Sequence, residues 1–276
     1  MSPDGGGVAA NETITSHDGT RIALSMIGTG PPVVLIGGAY NDRSTVAGLA
    51  AVLAPRFTAI AYDRRGRGDS GDNSAAPDAF NRNDELDDLA AVIRSAGGSA
   101  RIFGHSSGAV MGLEAAHRGL PIDRLAVYET PYVLPAAARP RPGEDLLDRL
   151  ITLVRDGRRD DAVALFQTEA IGLPAEMVER MRQSDVWAWL VGLAHTLPYD
   201  VALFDPGYWL PTDRLGTIQV PTLAIAGTKT DQNLFAATKA VAGAIPGARF
   251  TAIEGEDHAV LQRPEALRQS LFDFLG

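Results

Sequence analysis

The chain contains the stretch Arg101-Ile102-Phe103-Gly104-His105-Ser106-Ser107-Gly108. A short apolar run comes first, the pattern Gly-x-Ser-x-Gly follows, and small residues suited to a helix continue from Ala109. This order predicts a strand, a sharp turn and a helix, with a serine lifted clear of the backbone at the turn. Glycine has no Cβ, so Gly104 and Gly108 allow the strand and the helix to approach closely around that serine.

Ser106 is the candidate nucleophile because it has a glycine two residues away on each side, whereas Ser107 does not. A serine hydroxyl becomes a good nucleophile when a neighbouring base takes its proton. The backbone N–H of Ser107 is expected to donate to a negatively charged oxygen that develops on the substrate. A glycine- and serine-rich loop without chemistry is the alternative interpretation of the same stretch.

A base and an orienting acid are expected after Ser106 in the chain. Among five histidines, His258 lies in a loop after a predicted strand, where open α/β sheets place their sites. Asp231 follows another predicted strand and is the expected acid, although an aspartate before a helix is also a common N-cap. Glu129, directly after the strand that ends at Tyr128, is the alternative acid.

A second N–H donor to the developing oxygen is expected from the loop after the predicted strand 32–36. That loop begins Gly37-Gly38-Ala39-Tyr40, and we expect the Ala39 N–H to be the donor. Gly38 lets the backbone come close at this point because it lacks a Cβ.

Apolar runs and helical spacings alternate along most of the chain, which predicts an α/β fold with a doubly wound, mostly parallel sheet. The predicted strands are 13–15, 21–24, 32–36, 57–62, 101–103, 125–128, 220–226 and 249–253. The alternation stops at Pro131, and only helical patterns follow until about Pro211. We therefore expect a helical cap, residues 132–212, inserted between two parts of an α/β core, 1–131 and 213–276.

Composition narrows the classes of protein to which the chain could belong. The formal net charge of −9 argues against a nucleic-acid surface, which needs a basic patch. No apolar run has the length of a membrane span, and Met1 to Ala10 lacks the basic and apolar regions of a secretory signal. We therefore expect a cytoplasmic protein that binds neither nucleic acid nor membrane.

The same composition bears on cofactors and partners. The chain has no cysteine, no histidine and carboxylate cluster with metal-ligand spacing, and no dinucleotide-binding glycine pattern. We expect no metal and no cofactor, and a small-molecule substrate as the partner. The sequence does not indicate an oligomeric state.

Aromatic residues are concentrated in the second half of the predicted cap, which holds all three tryptophans of the chain. They favour a largely apolar pocket for a medium-sized substrate. The expected lining residues are Tyr40, Trp187, His195, Tyr199 and Trp209. Large aromatics in a small helical segment also commonly form that segment's own core, which is the alternative.

With these residues in view, the chain resembles the α/β-hydrolase fold superfamily, in its helical-capped group of esterases, lactonases and cofactor-free haloperoxidase-like enzymes. The resemblance covers nearly all of residues 12–276. The stretch 62–70 is similar to the family's Asp-x-Arg-Gly-x-Gly-x-Ser loop, in which Asp63 and Arg65 are expected to brace the backbone. The chain departs from the family at Gly37, where a histidine is usual, and by one extra residue before Asp231.

This resemblance implies a serine hydrolase that cleaves an ester, lactone or related acyl bond through an acyl-enzyme on Ser106. His258 is expected to remove the serine proton, and Asp231 is expected to orient the imidazole. A carbon–carbon bond hydrolase, a cyclase or lyase, and perhydrolysis of the acyl-enzyme are alternatives on the same residues. A non-catalytic ligand receptor is an alternative on the same fold.

Overall fold

The computed structural model of the chain describes residues 10–73, 80–135 and 140–276. The segment Met1 to Ala10, in which the sequence shows no secretory signal, therefore lies, except for Ala10, outside the described residues. None of the helices in the described part is both long and apolar enough to cross a membrane.

The described strands form one eight-stranded sheet in the order β1-β2-β4-β3-β5-β6-β7-β8. The strands are β1 (Ala10–Thr15), β2 (Arg21–Ile27), β3 (Pro32–Ile36), β4 (Thr58–Tyr62), β5 (Ala100–His105), β6 (Ile122–Tyr128), β7 (Thr222–Gly227) and β8 (Arg249–Ile253). Strand β2 pairs antiparallel with both β1 and β4. All neighbouring pairs from β4 to β8 are parallel. The prediction of a mostly parallel α/β sheet is confirmed.

Helices cover both faces of the sheet. They are α1 (Ala47–Leu53), α2 (Arg82–Ser95), α3 (Ser107–His117), α4 (Leu146–Arg155), α5 (Arg159–Leu165), α6 (Ala175–Arg182), α7 (Asp185–Leu193), α8 (Leu197–Ala202), α9 (Thr212–Leu215), α10 (Gln232–Ala244) and α11 (Arg268–Leu275). Successive side chains of a strand point to opposite faces. Accordingly, Val34 and Ile36 of β3 join a core with α2, α3 and α10, whereas Val33 and Leu35 join a core with α1 and α11.

Between β6 and β7 the described residues form helices joined by loops, and the only β pairing among them is one isolated bridge between Val133 and Trp209. We call residues 132–212 the inserted segment. Its apolar side chains, among them Leu150, Phe166 and Leu190, belong to the same core as α2, α3 and α10. The segment therefore packs on that face of the sheet, next to the turn that contains Ser106.

Some element boundaries differ from those predicted. Helix α3 begins at Ser107 rather than Ala109, because the turn is complete within the single residue Ser106. Helices α1, α8 and α9 were not predicted from periodicity, and each is only four to seven residues long. Such short segments give too few turns for a repeating apolar pattern to appear.

The close approach of β5 and α3 predicts that one methyl group added at Gly104 destabilises the folded chain. A Cβ on Gly104 would lie 2.4 Å from the carbonyl oxygen of Gly108, whereas a Cβ on Gly243 in α10 would meet no atom within 4 Å. We expect Gly104→Ala to lower the free energy of unfolding by about 1–3 kcal/mol or more. Gly243→Ala should not lower it, because alanine favours helix. Urea unfolding measures both, and equal stability of the two variants would contradict the close approach.

Candidate active site

Ser106 occupies the single-residue turn between β5 and α3. Its φ is 56° and its ψ is −122°, a left-handed backbone conformation that costs a non-glycine residue about 1–3 kcal/mol. Hydrogen bonds hold the turn in place: the Ser106 N–H donates to the carbonyl oxygen of Tyr128 at 2.9 Å, and the Ser106 carbonyl accepts from the Ala109 N–H at 2.9 Å. The strain predicted for this serine from its flanking glycines is therefore present.

The loop after β3 lies directly against this turn. A Cβ on Gly38 would be 2.9 Å from the Ser106 Cβ and 3.2 Å from the His105 carbonyl oxygen, so only glycine fits there. The Gly38 N–H donates to the Asn41 side-chain oxygen at 2.9 Å. The next N–H along the loop is that of Ala39. Glycine at position 37 in place of the family's usual histidine leaves this approach intact.

His258 lies in the loop after β8 and is held by a carboxylate. Its Nδ1 is 2.7 Å from Oε2 of Glu129, which is fully buried. The same carboxylate accepts hydrogen bonds from the Gly227 N–H at 2.8 Å and from the Thr230 hydroxyl at 3.0 Å. A carboxylate accepts, so we assign the ring hydrogen to Nδ1, which leaves Nε2 of His258 free to accept a proton.

The prediction that Asp231 holds His258 is wrong. Asp231 caps α10 instead: its Oδ1 accepts from the Asn233 N–H at 2.9 Å and from the Leu234 N–H at 3.3 Å. Glu129, the alternative acid, occupies the position at the imidazole. Glu129 also has a positive φ of 50°, and it lies immediately after β6. The signal in the sequence was its place directly after a buried strand.

His105, the residue before Ser106, forms a hydrogen bond to the loop that contains His258. Its Nε2 lies 2.9 Å from the His258 carbonyl oxygen, and the two rings are 4.6 Å apart. A carbonyl only accepts, so Nε2 of His105 carries the hydrogen. Burial, together with repulsion from His258, lowers the pKa of His105 to about 3. His105 is therefore neutral near pH 7 and is not suited to act as the base.

Ser106 and His258 both line a cavity of about 540 Å³. Ala39 and Ser107, the two predicted N–H donors, line it as well. The apolar lining residues include seven side chains of the inserted segment: Tyr132, Phe166, Ala170, Ile171, Leu173, Phe204 and Tyr208. The polar lining residues in the loops after β7 and β8 and at the start of α10 include Lys229, Thr230, Asp231, Asn233 and Asp257. The cavity therefore brings apolar side chains of the inserted segment and polar loop residues together with the strained serine.

The five side chains expected to line this pocket are elsewhere, so that prediction is wrong. Tyr40 is buried behind the wall, with its ring 5.6 Å from that of Phe166. The Trp187 indole donates to Asp160, and the Tyr199 hydroxyl donates to Asp72. His195 Nε2 lies 2.8 Å from the Gly66 carbonyl oxygen. The Trp209 ring faces outward under the Arg141 guanidinium. All of these side chains except Trp209 join parts of the inserted segment to each other or to the core. This agrees with the alternative that aromatic residues mainly stabilise the segment itself.

A buried cluster of charges beneath the cavity was not predicted from the sequence. Asp200 of α8 lines the cavity and accepts from the Ser107 hydroxyl at 2.7 Å. It also accepts from Arg64 at 2.8 Å and from Arg67 at 2.7 Å. Burial raises the pKa of Asp200, but the two guanidinium groups outweigh it and bring that pKa below its ordinary value. No spacing in the sequence links Asp200 to these arginines.

Asp63 and Arg65, in the same loop as Arg64 and Arg67, brace the backbone as expected. Asp63 accepts from the Asp69 N–H at 2.8 Å and from the Arg43 N–H at 2.7 Å. Arg65 forms a two-pronged ion pair with Asp88 at 2.7 and 2.8 Å. Among the described residues, no group of three or more histidine and carboxylate side chains could hold a metal ion.

The depressed pKa of His105 predicts a pH dependence of stability. The folded chain protonates this ring only near pH 3, whereas the unfolded chain does so near pH 6.5. Stability contributed by the neutral ring is thus complete above about pH 6.5 and is lost as the pH falls, by up to about 1.4 kcal/mol per pH unit. Urea unfolding between about pH 6.5 and 4.5 should show a smaller loss for His105→Asn than for the wild type. Parallel pH curves would contradict this.

The chain is similar to known proteins along almost its whole length. It is 44% identical to an alpha/beta hydrolase from Sphaerobacter thermophilus, with a TM-score of 0.86 over 96% of this chain and 100% of that one. It is 26% identical to the 2-(acetamidomethylene)succinate hydrolase of Mesorhizobium japonicum, over 92% of each chain. It is also 26% identical to a non-heme chloroperoxidase of Kitasatospora aureofaciens, over 95% of this chain and 98% of that one. The sequence pattern of the alpha/beta hydrolase family matches residues 33–269, and the chain therefore belongs to the alpha/beta hydrolase family.

Proposed function

We propose that this protein is a serine hydrolase that cleaves an ester, lactone or related acyl bond of a medium-sized, largely apolar molecule. The observation that carries the proposal is that a strained serine and a histidine held by a buried glutamate line the same cavity. A serine hydroxyl needs a base, and the base needs a group that fixes its orientation and stabilises its charged form. Ser106, His258 and Glu129 match these three roles.

The first half of the reaction forms an acyl-enzyme. The Ser106 Oγ attacks the substrate carbonyl carbon while its proton passes to Nε2 of His258, and Glu129 stabilises the resulting imidazolium. The carbonyl electron pair moves to oxygen, where the N–H groups of Ala39 and Ser107 stabilise the negative charge. The carbon–oxygen bond to the leaving group then breaks, and His258 returns the proton to the departing alcohol.

The second half of the reaction releases the acid. A water molecule gives its proton to His258 and attacks the acyl carbonyl, and the bond to Ser106 breaks as the serine regains a proton. Residues 132–212 act as a cap over a core made of 1–131 and 213–276. Support for the cap comes from Phe166 and Phe204 of this segment, which line the same cavity as Ser106 and His258.

The walls of the cavity limit the class of substrate. A volume of about 540 Å³ lies in the range of small-molecule sites, about 300–1,000 Å³. Apolar side chains on the inserted segment favour a hydrocarbon or aromatic part of the substrate, and the polar side near Thr230 favours a group that forms hydrogen bonds. The relative named 2-(acetamidomethylene)succinate hydrolase supports hydrolysis on this framework.

The nucleophile assignment predicts covalent labelling of one serine. A fluorophosphonate should add a single label to Ser106, because only an activated serine attacks such a reagent. Ser106→Ala should abolish both the label and the hydrolysis of short p-nitrophenyl esters. Ser107→Ala is the matched control and should keep the label, since the proposed role of Ser107 is through its backbone N–H. Intact mass spectrometry and peptide mapping measure the label.

Two outcomes would overturn this assignment. Near wild-type hydrolysis by Ser106→Ala would remove the acyl-enzyme and favour His258 acting alone as a base, as in a lyase or cyclase. A wild-type protein that is neither labelled nor active on a broad ester panel, yet binds small molecules in the cavity, would favour a ligand receptor.

The acid assignment predicts unequal effects of two conservative changes. Glu129→Gln should lower kcat by about 10²–10⁴-fold, because the amide cannot stabilise the imidazolium and favours the wrong tautomer. Asp231→Asn is the matched control and should change kcat less than about threefold, because asparagine also caps helices well. Steady-state kinetics on one p-nitrophenyl ester compares them. A severe loss in Asp231→Asn with a mild one in Glu129→Gln would reverse the assignment.

A further inference from the structure

The carbonyl oxygen of the peptide between Gly38 and Ala39 accepts two hydrogen bonds, one from within the loop and one from an arginine outside it. The Gly38 oxygen accepts from the Asn41 N–H at 3.3 Å and from Nη1 of Arg67 at 3.4 Å. The preceding carbonyl, that of Gly37, accepts from Nη1 of Arg64 at 3.4 Å. Two buried guanidinium groups therefore face the outer side of the loop that passes Ser106.

Because the peptide bond is planar, fixing the Gly38 carbonyl also fixes the direction of the Ala39 N–H. The Gly38 carbonyl and the Ala39 N–H belong to one trans peptide, so they point in opposite directions. A group that fixes the carbonyl on the outer side thereby turns the N–H toward the cavity, which Ala39 lines. A flip of this peptide would aim the carbonyl oxygen at the developing oxyanion instead.

Arg67 is in turn positioned by the inserted segment. Its Nη2 donates to Oδ2 of Asp200 at 2.7 Å, while Oδ1 of Asp200 accepts from the Ser107 hydroxyl at 2.7 Å. Ser107 is the other proposed N–H donor. The Asp200 carboxylate therefore contacts both the Ser107 side chain and the arginine that bonds the Gly38–Ala39 peptide. Asp200 lies in α8, whereas Arg67 and Ser107 belong to the core.

The burial of the Arg67 charge carries a cost in free energy. Its side chain is fully buried, and its Nε has no hydrogen-bond partner among the described residues. A buried ion pair often adds little stability compared with an apolar pair of similar size. The Arg67 guanidinium bonds Asp200 through Nη2 and the Gly38 carbonyl oxygen through Nη1. These two contacts indicate that Arg67 fixes the orientation of the Gly38–Ala39 peptide.

We propose that Arg67 and Asp200 are positioning residues that orient the Gly38–Ala39 peptide, so that the inserted segment sets the oxyanion geometry of the core. The inference rests on the proposed acyl-transfer function. It requires that Arg67 act on the transition state through the Ala39 N–H, and not on substrate binding.

The test compares Arg67→Gln with Arg65→Gln on one p-nitrophenyl ester. Arg65 is equally buried and paired with Asp88, but its bonds do not reach the oxyanion loop. Loss of an entire oxyanion donor costs about 10²–10³-fold in kcat, so a misoriented donor in Arg67→Gln should cost roughly 10–100-fold with little change in KM. Arg65→Gln should keep kcat within about threefold. Thermal unfolding of both variants measures any general destabilisation.

A second readout isolates the oxyanion geometry. An arylboronic acid accepts the serine oxygen at boron and becomes tetrahedral, with one boron-bound oxygen in the position of the oxyanion. Its inhibition constant should rise in Arg67→Gln in proportion to the loss of kcat, and it should stay unchanged in Arg65→Gln. If Arg67→Gln does not fold, Asp200→Asn against Asp88→Asn replaces the pair, with the same readouts and the same expectation.

The outcomes separate this inference from the proposed function. Equal kcat and equal boronate inhibition in Arg67→Gln and its control, or in the Asp200 pair when that is used, would overturn the positioning role while Ser106→Ala remains inactive. A rise in KM alone would assign Arg67 to substrate binding and would overturn it too. If Ser106→Ala keeps the wild-type turnover of the same ester, it is the acyl-enzyme function that fails.

Discussion

The carboxylate of Glu129 joins the ends of three neighbouring strands. It follows β6, accepts from Gly227 at the end of β7, and contacts His258 after β8. A buried carboxylate is costly unless its oxygens are hydrogen-bonded, so these three loops are held in one arrangement. The position of His258 relative to the cavity depends on this carboxylate, as the position of Ser106 depends on the turn after β5.

The parts of the site that come from local pattern could be predicted from the sequence. The Gly-x-Ser-x-Gly turn, the glycine loop after β3 and the positions of the strands along the chain follow from residue types at short spacing, and the structure has them close to where they were expected. The identity of the carboxylate that contacts His258 could not be decided from local pattern. Asp231 and Glu129 both follow buried strands, and the choice depends on side-chain reach and on which carboxylate the next helix uses as its cap.

The pocket was predicted least well, because composition does not say which face of a helix looks inward. Trp187 and Tyr199 turn toward partners within the inserted segment or at its junction with the core, whereas Phe166 and Phe204 form the wall. Asp200 carries no recognisable motif, and its importance appears only when α8 is packed over the arginines after β4. Long-range contacts of this kind are absent from any single window of sequence.

The acyl-enzyme proposed for Ser106 can be tested by a partitioning experiment. Esters of one acid with different leaving groups are hydrolysed in the presence of methanol, and the ratio of methyl ester to free acid is measured. A shared acyl-enzyme predicts the same ratio for every leaving group, because the partition occurs after the leaving group has departed. A ratio that changes with the leaving group would rule out a shared acyl-enzyme and would show that water and methanol attack the ester directly.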